Sequence, residues 1–239
     1  MKDYRDIIYA NYRSASYGLL NPNGFNSKMA EGYQAAFSRF LPIDTKSRIL
    51  DIGCGSGFLM QFLQQKGYKN VSGVDASIEQ ITFAKNNGLS VTHGDGFTFL
   101  ENHQGYDLIF MTDIVEHLKK DELLKMLQRI QEALNPKGRV IMRTINASSL
   151  YGNTSRYIDF THEISFTETS LRQILFAIGF VDIEITDSKI PFGWKPKRLA
   201  RWFVIKIWRF FLAAIYTAEV GIDRPRLFGK FLISCATKP

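Results

Sequence analysis

Cysteine is the scarcest informative residue in this chain. Only Cys54 and Cys235 occur in 239 residues, one inside a glycine cluster and the other in an apolar run near the end. That spacing excludes a disulfide framework and a zinc-binding cysteine pattern, and it predicts two buried thiols in a reducing compartment. No sustained apolar run follows the opening Met1-Lys2-Asp3-Tyr4-Arg5-Asp6, so no secretory signal is expected and the reading is cytoplasmic. Gly (18) and Pro (7) stay near ordinary usage, and no long block of like charge is present. Collagen-like, low-complexity and tail-like readings therefore fail, and no internal repeat is visible. What remains is 45% hydrophobic content, enough for one substantial core, with a net charge of +7 that calls for an anionic partner without naming it.

From about residue 47 onward, strand and helix patterns alternate. Ser47 to Ile52 is a short apolar run that enters glycines and then a helix carrying Phe58, Leu59, Phe62 and Leu63. Strands follow at Asn70 to Val74, Leu89 to Thr92, Tyr106 to Met111 and Arg139 to Thr144, with helices through Ile78 to Ala84 and Leu123 to Leu134. Asn135-Pro136-Lys137-Gly138 reads as a turn. A helix at Thr169 to Ile178, a strand at Val181 to Thr186 and a last strand at Leu227 to Ala236 complete the pattern. Such alternation predicts an α/β fold with a mostly parallel sheet covered on both faces. The division expected is a helical cap over 1–45, a core over 46–188, an insertion over 189–226 and the final strand over 227–239.

The sharpest local signal is Asp51-Ile52-Gly53-Cys54-Gly55-Ser56-Gly57, a strand running through alternate glycines into a helix. This pattern fits a nucleotide site in which a ligand approaches backbone N–H groups. A dinucleotide site wants a third glycine where Phe58 stands, and Asp51 would repel a pyrophosphate but suits an ammonium group. Asp75, at the end of the second strand, follows Gly55 at the distance expected of a ribose-hydroxyl acceptor. The ligand predicted is a positively charged nucleoside.

These residues resemble the first motif of class I S-adenosylmethionine-dependent methyltransferases. Asp95-Gly96-Phe97, Thr112-Asp113-Ile114-Val115-Glu116-His117-Leu118 and Leu134-Asn135-Pro136-Lys137-Gly138 are similar to the family's later motifs, in order. The resemblance covers about Ser47 to Thr144. It implies a Rossmann-like seven-stranded sheet and S-adenosyl-L-methionine as cofactor. Asp51 and the stretch Gly53, Cys54, Gly55 and Gly57 would hold the methionine end, Asp75 and Ala76 the ribose, and Asp95 and Gly96 the adenine, with Thr112 and Asp113 beside them. The family often carries an N-terminal lid, which here would use Tyr12 and Tyr17. Nothing in the pattern calls for a metal.

The acceptor is read from what surrounds this core. The Asn/Asp-Pro-Pro-aromatic motif of base amine methylation and the Pro-Cys element of ring methylation are both missing, which leaves oxygen as the acceptor atom. Asp159-Phe160-Thr161-His162…Phe166-Thr167 is similar to a stretch in methyltransferases of cell-surface polysaccharide biosynthesis. That likeness implies a sugar hydroxyl on a nucleotide-activated or lipid-linked glycan. A hydroxyl needs a base. His162 is the expected one, oriented by Asp159 or Glu163, and His117 is its rival. A quinone-type or other lipid phenol is the alternative acceptor, and a non-catalytic binding protein is the alternative to an enzyme.

The insertion holds all three tryptophans, Trp194, Trp202 and Trp208. Between Lys189 and Lys230 ten Lys and Arg face two acids, a local +8, so the rest of the chain sums to about −1. A helix from Leu199 to about Ala218 would place Arg198, Arg201, Lys206 and Arg209 on one side and aromatic or aliphatic residues around the remainder. The expected partners are an anionic membrane surface or a second copy of the chain. So localised a charge argues against nucleic acid.

Overall fold

A computed structural model describes residues 4–12, 14, 24–188, 196–221 and 225–239. Its centre is one seven-stranded sheet in the order β3-β2-β1-β4-β5-β7-β6, where β1 is Ile49–Ile52, β2 Val71–Asp75, β3 Val91–His93, β4 Tyr106–Thr112, β5 Leu134–Ile145, β6 Val181–Asp187 and β7 Phe231–Thr237. The first five strands pair in parallel, and β7 runs antiparallel between β5 and β6. The seven-stranded, mostly parallel sheet expected from the sequence is therefore present.

The inner strands β1, β4, β5 and β7 are buried on both faces because neighbouring residues point to opposite sides and both must be apolar, whereas no residue of the edge strands β3 and β6 is fully buried. Leu50, Ile109 and Met142 enter the core shared with α6 (Lys120–Ala133) and α8 (Glu168–Ile178). Their neighbours Ile49, Leu108 and Ile141 enter the opposite core, shared with α2 (Ser27–Phe37), α3 (Phe58–Gln65) and α4 (Ile78–Asn86). Local signals fix several ends. Asn26 caps α2 by accepting from the Met29 N–H at 3.1 Å, Thr167 caps α8 by accepting from the Ser170 N–H at 3.1 Å, and Gly179 ends α8 at φ +96°.

Three elements escape the periodicity reading. Two six-residue helices, α5 (Gly96–Glu101) and α7 (Gly152–Tyr157), are too short to show a hydrophobic period. The third is the turn expected at residues 135–138, which lies inside β5. There Tyr106 pairs with Leu134 and Leu108 with Arg139, so the extra residues bulge out, with Lys137 at φ +62°. The short helix α1 (Tyr4–Tyr9) is joined to α6 by Arg5, which bonds Glu122. The long helix α9 (Pro196–Val220) connects β6 to β7. No described helix is long and apolar enough to cross a membrane.

Candidate active site

The C-terminal ends of β1, β2, β4 and β5 deliver Asp51, Asp75, Thr112 and Arg143 to one cavity of about 230 Å³. Ten of the eleven residues expected to hold a cofactor line it: Asp51, Gly53, Cys54, Gly55, Asp75, Ala76, Asp95, Gly96, Thr112 and Asp113. Gly57 does not. It turns away at φ +76°, and a Cβ there would stand 2.1 Å from Leu89 Cδ1, so chain packing rather than a ligand requires this glycine. At Gly53 a Cβ would likewise meet Ile114 Cδ1 at 2.0 Å.

The glycine loop also differs from a phosphate cradle. The N–H groups of Gly53 and Cys54 donate to the Val74 carbonyl at 2.8 and 3.1 Å, and that of Gly57 donates to the Cys54 carbonyl at 2.9 Å. Asp75 accepts from the Gly55 N–H at 2.9 Å and the Ser77 N–H at 2.8 Å. These donors are engaged within the protein, which corrects the expectation that they point at the ligand. Cys54 contributes a wall. Burial pushes its thiol far above the ordinary value, so it is no nucleophile at neutral pH.

Charge in the cavity is dominated by carboxylates. Asp51 is 1% exposed, and its Oδ1 has no hydrogen-bond partner. Burial, reinforced by Asp75, pushes its carboxyl well above the usual range. Arg143 is the cation opposite, and Asp113 grips it in two places, accepting from Nε at 2.9 Å on Oδ1 and from Nη2 on Oδ2. Burial opposes the Arg143 charge, but Asp113 outweighs it and keeps the guanidinium's pKa above its ordinary value. Asp113 thus holds Arg143 as well as lining the cavity. An arginine in an otherwise apolar strand run was the sequence signal for this pair, and it was missed. Asp95 caps α5 by accepting from the Thr98 N–H at 2.9 Å on Oδ2.

The structure separates the two candidate bases. His117 lines the cavity, whereas His162 lies outside that lining, with its ring 4.6 Å from the His117 ring. The His162 Nδ1 pairs with the Ser155 carbonyl at 3.0 Å, and neither Asp159 nor Glu163 bonds its ring. Asp159 instead accepts from the Thr161 hydroxyl at 2.6 Å and the Tyr12 hydroxyl at 2.7 Å, and Glu163 accepts from Tyr4. His117 Nδ1 stands 2.7 Å from Thr161 Oγ1. Because the single Thr161 hydroxyl proton goes to the carboxylate, Nδ1 must be the donor to Oγ1, and the lone pair of His117 is on Nε2. Burial and the neighbouring His162 push His117 down to about 4. The hydrogen bonds to Asp159 outweigh its burial and hold its carboxyl below the usual value.

Helix α1 and Tyr12 close the cavity. Arg5 forks onto Glu122 at 2.7 and 2.8 Å, and Tyr9 and Tyr12 line the space beneath. Tyr12 was expected there. Tyr17 lies outside the described residues. Tyr9, Tyr33, Gln80 and Thr161 were not anticipated, because single residues on separate elements leave no local spacing to read.

Comparisons with known proteins agree with this geometry. The chain is 27% identical over 152 residues to a "Ubiquinone biosynthesis O-methyltransferase" of Rickettsia conorii, covering 60% of this chain and 51% of that protein. The chain spans about half the length of the curated relatives it matches. Among solved structures, a SAM-dependent methyltransferase from Archaeoglobus fulgidus superposes with a TM-score of 0.69 at 22% identity, covering 93% of this chain and all of that one. A Haemonchus contortus phosphoethanolamine N-methyltransferase in complex with S-adenosylhomocysteine gives 0.68 at 19% identity, covering 100% of this chain and 61% of that one. These two likenesses speak to the fold. A methyltransferase-domain model matches residues 25–185, which span the parallel core and every cavity-lining strand, and the chain belongs to that family.

Proposed function

We propose that this methyltransferase takes a methyl group from S-adenosyl-L-methionine and places it on a phenolic oxygen of a quinone-type lipid. The observation that carries the reading is the presence, in one cavity, of a buried carboxyl group with an unpaired Oδ1, which a cation would hold in its charged form, and a histidine held neutral with its Nε2 lone pair free. When bound, S-adenosyl-L-methionine supplies a methyl group on a sulfonium, whose charge disperses as transfer proceeds. Asp51 fits its ammonium group, a cation that compensates the orphaned Oδ1. Asp75, with one N–H on each oxygen, keeps lone pairs for the ribose hydroxyls. Asp95 has Oδ1 left for the adenine amine, since its cap uses Oδ2.

His117 takes the acceptor's proton at Nε2. Thr161 passes the stabilising influence of the Asp159 charge to the imidazolium that forms, while Tyr9 and Tyr12 exclude water from above. A base as weak as this favours the more acidic acceptor. A phenol ionises near 10, whereas an aliphatic sugar hydroxyl is several units weaker as an acid. The polysaccharide-like stretch no longer argues for a glycan either. Its Asp159, Thr161 and Glu163 hold His117 and the N-terminal tyrosines, so those side chains serve the lid and the base. The name of the Rickettsia relatives points the same way as the chemistry.

The test is an acceptor panel with S-adenosyl-L-methionine, following S-adenosylhomocysteine release and the mass of the product. A prenylated catechol or hydroquinone is the expected substrate. Turnover confined to nucleotide sugars or lipid-linked glycans would overturn the acceptor assignment.

A further inference from the structure

Helix α9 is turned the opposite way from an ordinary surface helix. None of its residues is fully buried. Leu199, Trp202, Ile205, Arg209, Leu212 and Tyr216, at three- and four-residue steps, form the partly covered side that faces the domain. On that side Arg198 pairs with Glu31 at 2.8 Å, Arg209 pairs with Asp187 at 3.0 Å, and the Tyr216 ring meets Phe228. The outward side is apolar. Phe203, Val204, Ile207, Phe210, Phe211 and Ile215 are each 51% to 70% exposed, and Ala200, Ala214 and Ala218 complete the strip. A strip of this length, along a helix of about 37 Å, is not left facing water unless something covers it.

We propose that this strip docks on an anionic membrane surface, with the helix lying in the plane of the interface. Three observations favour lipid over a second copy. Lys197 and Arg201 flank the strip on one side and Lys206 on the other, and none of the three has an ion pair among the described residues. Long cationic side chains at the margins of an apolar strip reach back to anionic head groups. A contact between two such helices would bring together an excess of cations, with Glu219 the one acid on each helix. The placement also fits. The helix is tied through Arg209 to Asp187 at the C-terminal end of β6, on the same edge of the sheet as Asp51, Asp75 and Thr112, so docking turns the edge that holds the cavity toward the lipid. The surface argument stands without the phenol assignment, since it uses only the helix and its charges.

The experiment is vesicle flotation of the full chain with equal parts phosphatidylglycerol and phosphatidylcholine, and with phosphatidylcholine alone. Binding is expected to the mixed vesicles and to fall by at least about tenfold with phosphatidylcholine alone or in high salt. A quadruple variant, Phe203→Ser, Ile207→Ser, Phe210→Ser and Phe211→Ser, should lose binding by at least about tenfold. It should keep the wild-type affinity for S-adenosylhomocysteine, which shows that the core is folded. Arg201→Glu with Lys206→Glu should abolish the lipid selectivity while leaving the strip intact. Absence of wild-type binding to the mixed vesicles overturns the proposal, as does binding that survives the serine variant. So does a wild-type dimer, seen by sedimentation velocity, that the serine variant dissociates while vesicles bind neither form.

Discussion

At the scale of single residues, the two histidines make opposed predictions. His117→Ala should lower kcat by about 10²-fold or more while leaving S-adenosylhomocysteine affinity nearly unchanged, because the lost group acts on the acceptor's proton. His162→Ala should cost less than about tenfold, since that ring bonds the Ser155 carbonyl beside His117 and does not line the cavity. Equal losses would mean that the cavity geometry misassigns the base. The sequence offered two candidate bases, His117 after the fourth-strand motif and His162 in the loop after strand five. Which one faces the cavity depends on where Thr161 and Asp159 fold back, and that is tertiary information absent from any window of sequence.

Glu116 is a neighbour with a separate signature. Burial, then Asp113, push its carboxyl up to about 8, although Thr144 donates to it at 2.9 Å. Between its unfolded value of 4.5 and 8, the folded chain keeps a proton that the unfolded chain releases, so this group's contribution falls as pH rises. His117 works in the other direction, adding stability as pH rises from about 4 to 6.5. Above 6.5 the His117 effect is complete, and Glu116 and the buried Asp51, both raised, act in the same downward sense. The melting temperature should therefore decline between about pH 6.5 and 8, and Glu116→Gln, which keeps an acceptor for Thr144, should flatten that decline. Identical slopes in a thermal-shift series would contradict the buried, protonated carboxyl.

At the scale of elements, Asp95 is read as both a helix cap and a cofactor contact, and two substitutions separate the roles. Asp95→Ala should lose about 1 kcal/mol of stability along with cofactor affinity, whereas Asp95→Ser should keep the cap and lose only the affinity. Calorimetric unfolding and titration with S-adenosylhomocysteine measure the two effects, and parallel behaviour of the variants would leave Asp95 a cap alone. Among the described residues, helix α1 is held through the Arg5 fork and through its tyrosines Tyr4 and Tyr9. Its amides should exchange rapidly in the free protein and gain about tenfold or more protection on ligand binding. Unchanged exchange would deny it a closing role. Long elements were legible because their hydrophobic period repeats. The bulge in β5 was not, since Asn-Pro-Lys-Gly signals a reversal of chain direction equally well when a strand resumes its old course after it.

At the scale of the whole molecule, the uneven charge is the feature that composition alone blurred. The core that binds the cofactor is nearly neutral, and the excess of cations belongs to the β6–β7 connection. If that connection brings the cavity to a bilayer, substrates should respond according to their tails. A polyprenyl phenol should gain kcat/KM when anionic vesicles are added, and its short water-soluble analogue should not. Steady-state rates with and without vesicles measure the difference, and an equal response of both phenols would separate the helix from substrate delivery.

The two strands from which the helix leaves and returns are antiparallel neighbours, joined from Val181↔Thr237 to Asp187↔Leu232. Both ends of the connection therefore emerge about one strand spacing apart, roughly 4.8 Å, at the margin of a finished sheet. Lengthening such a connection changes its closure entropy slowly, by about 0.6 kcal/mol per doubling. The hairpin works like a socket. A lineage could exchange the whole appendage for a shorter turn or a different helix without disturbing a residue that lines the cavity.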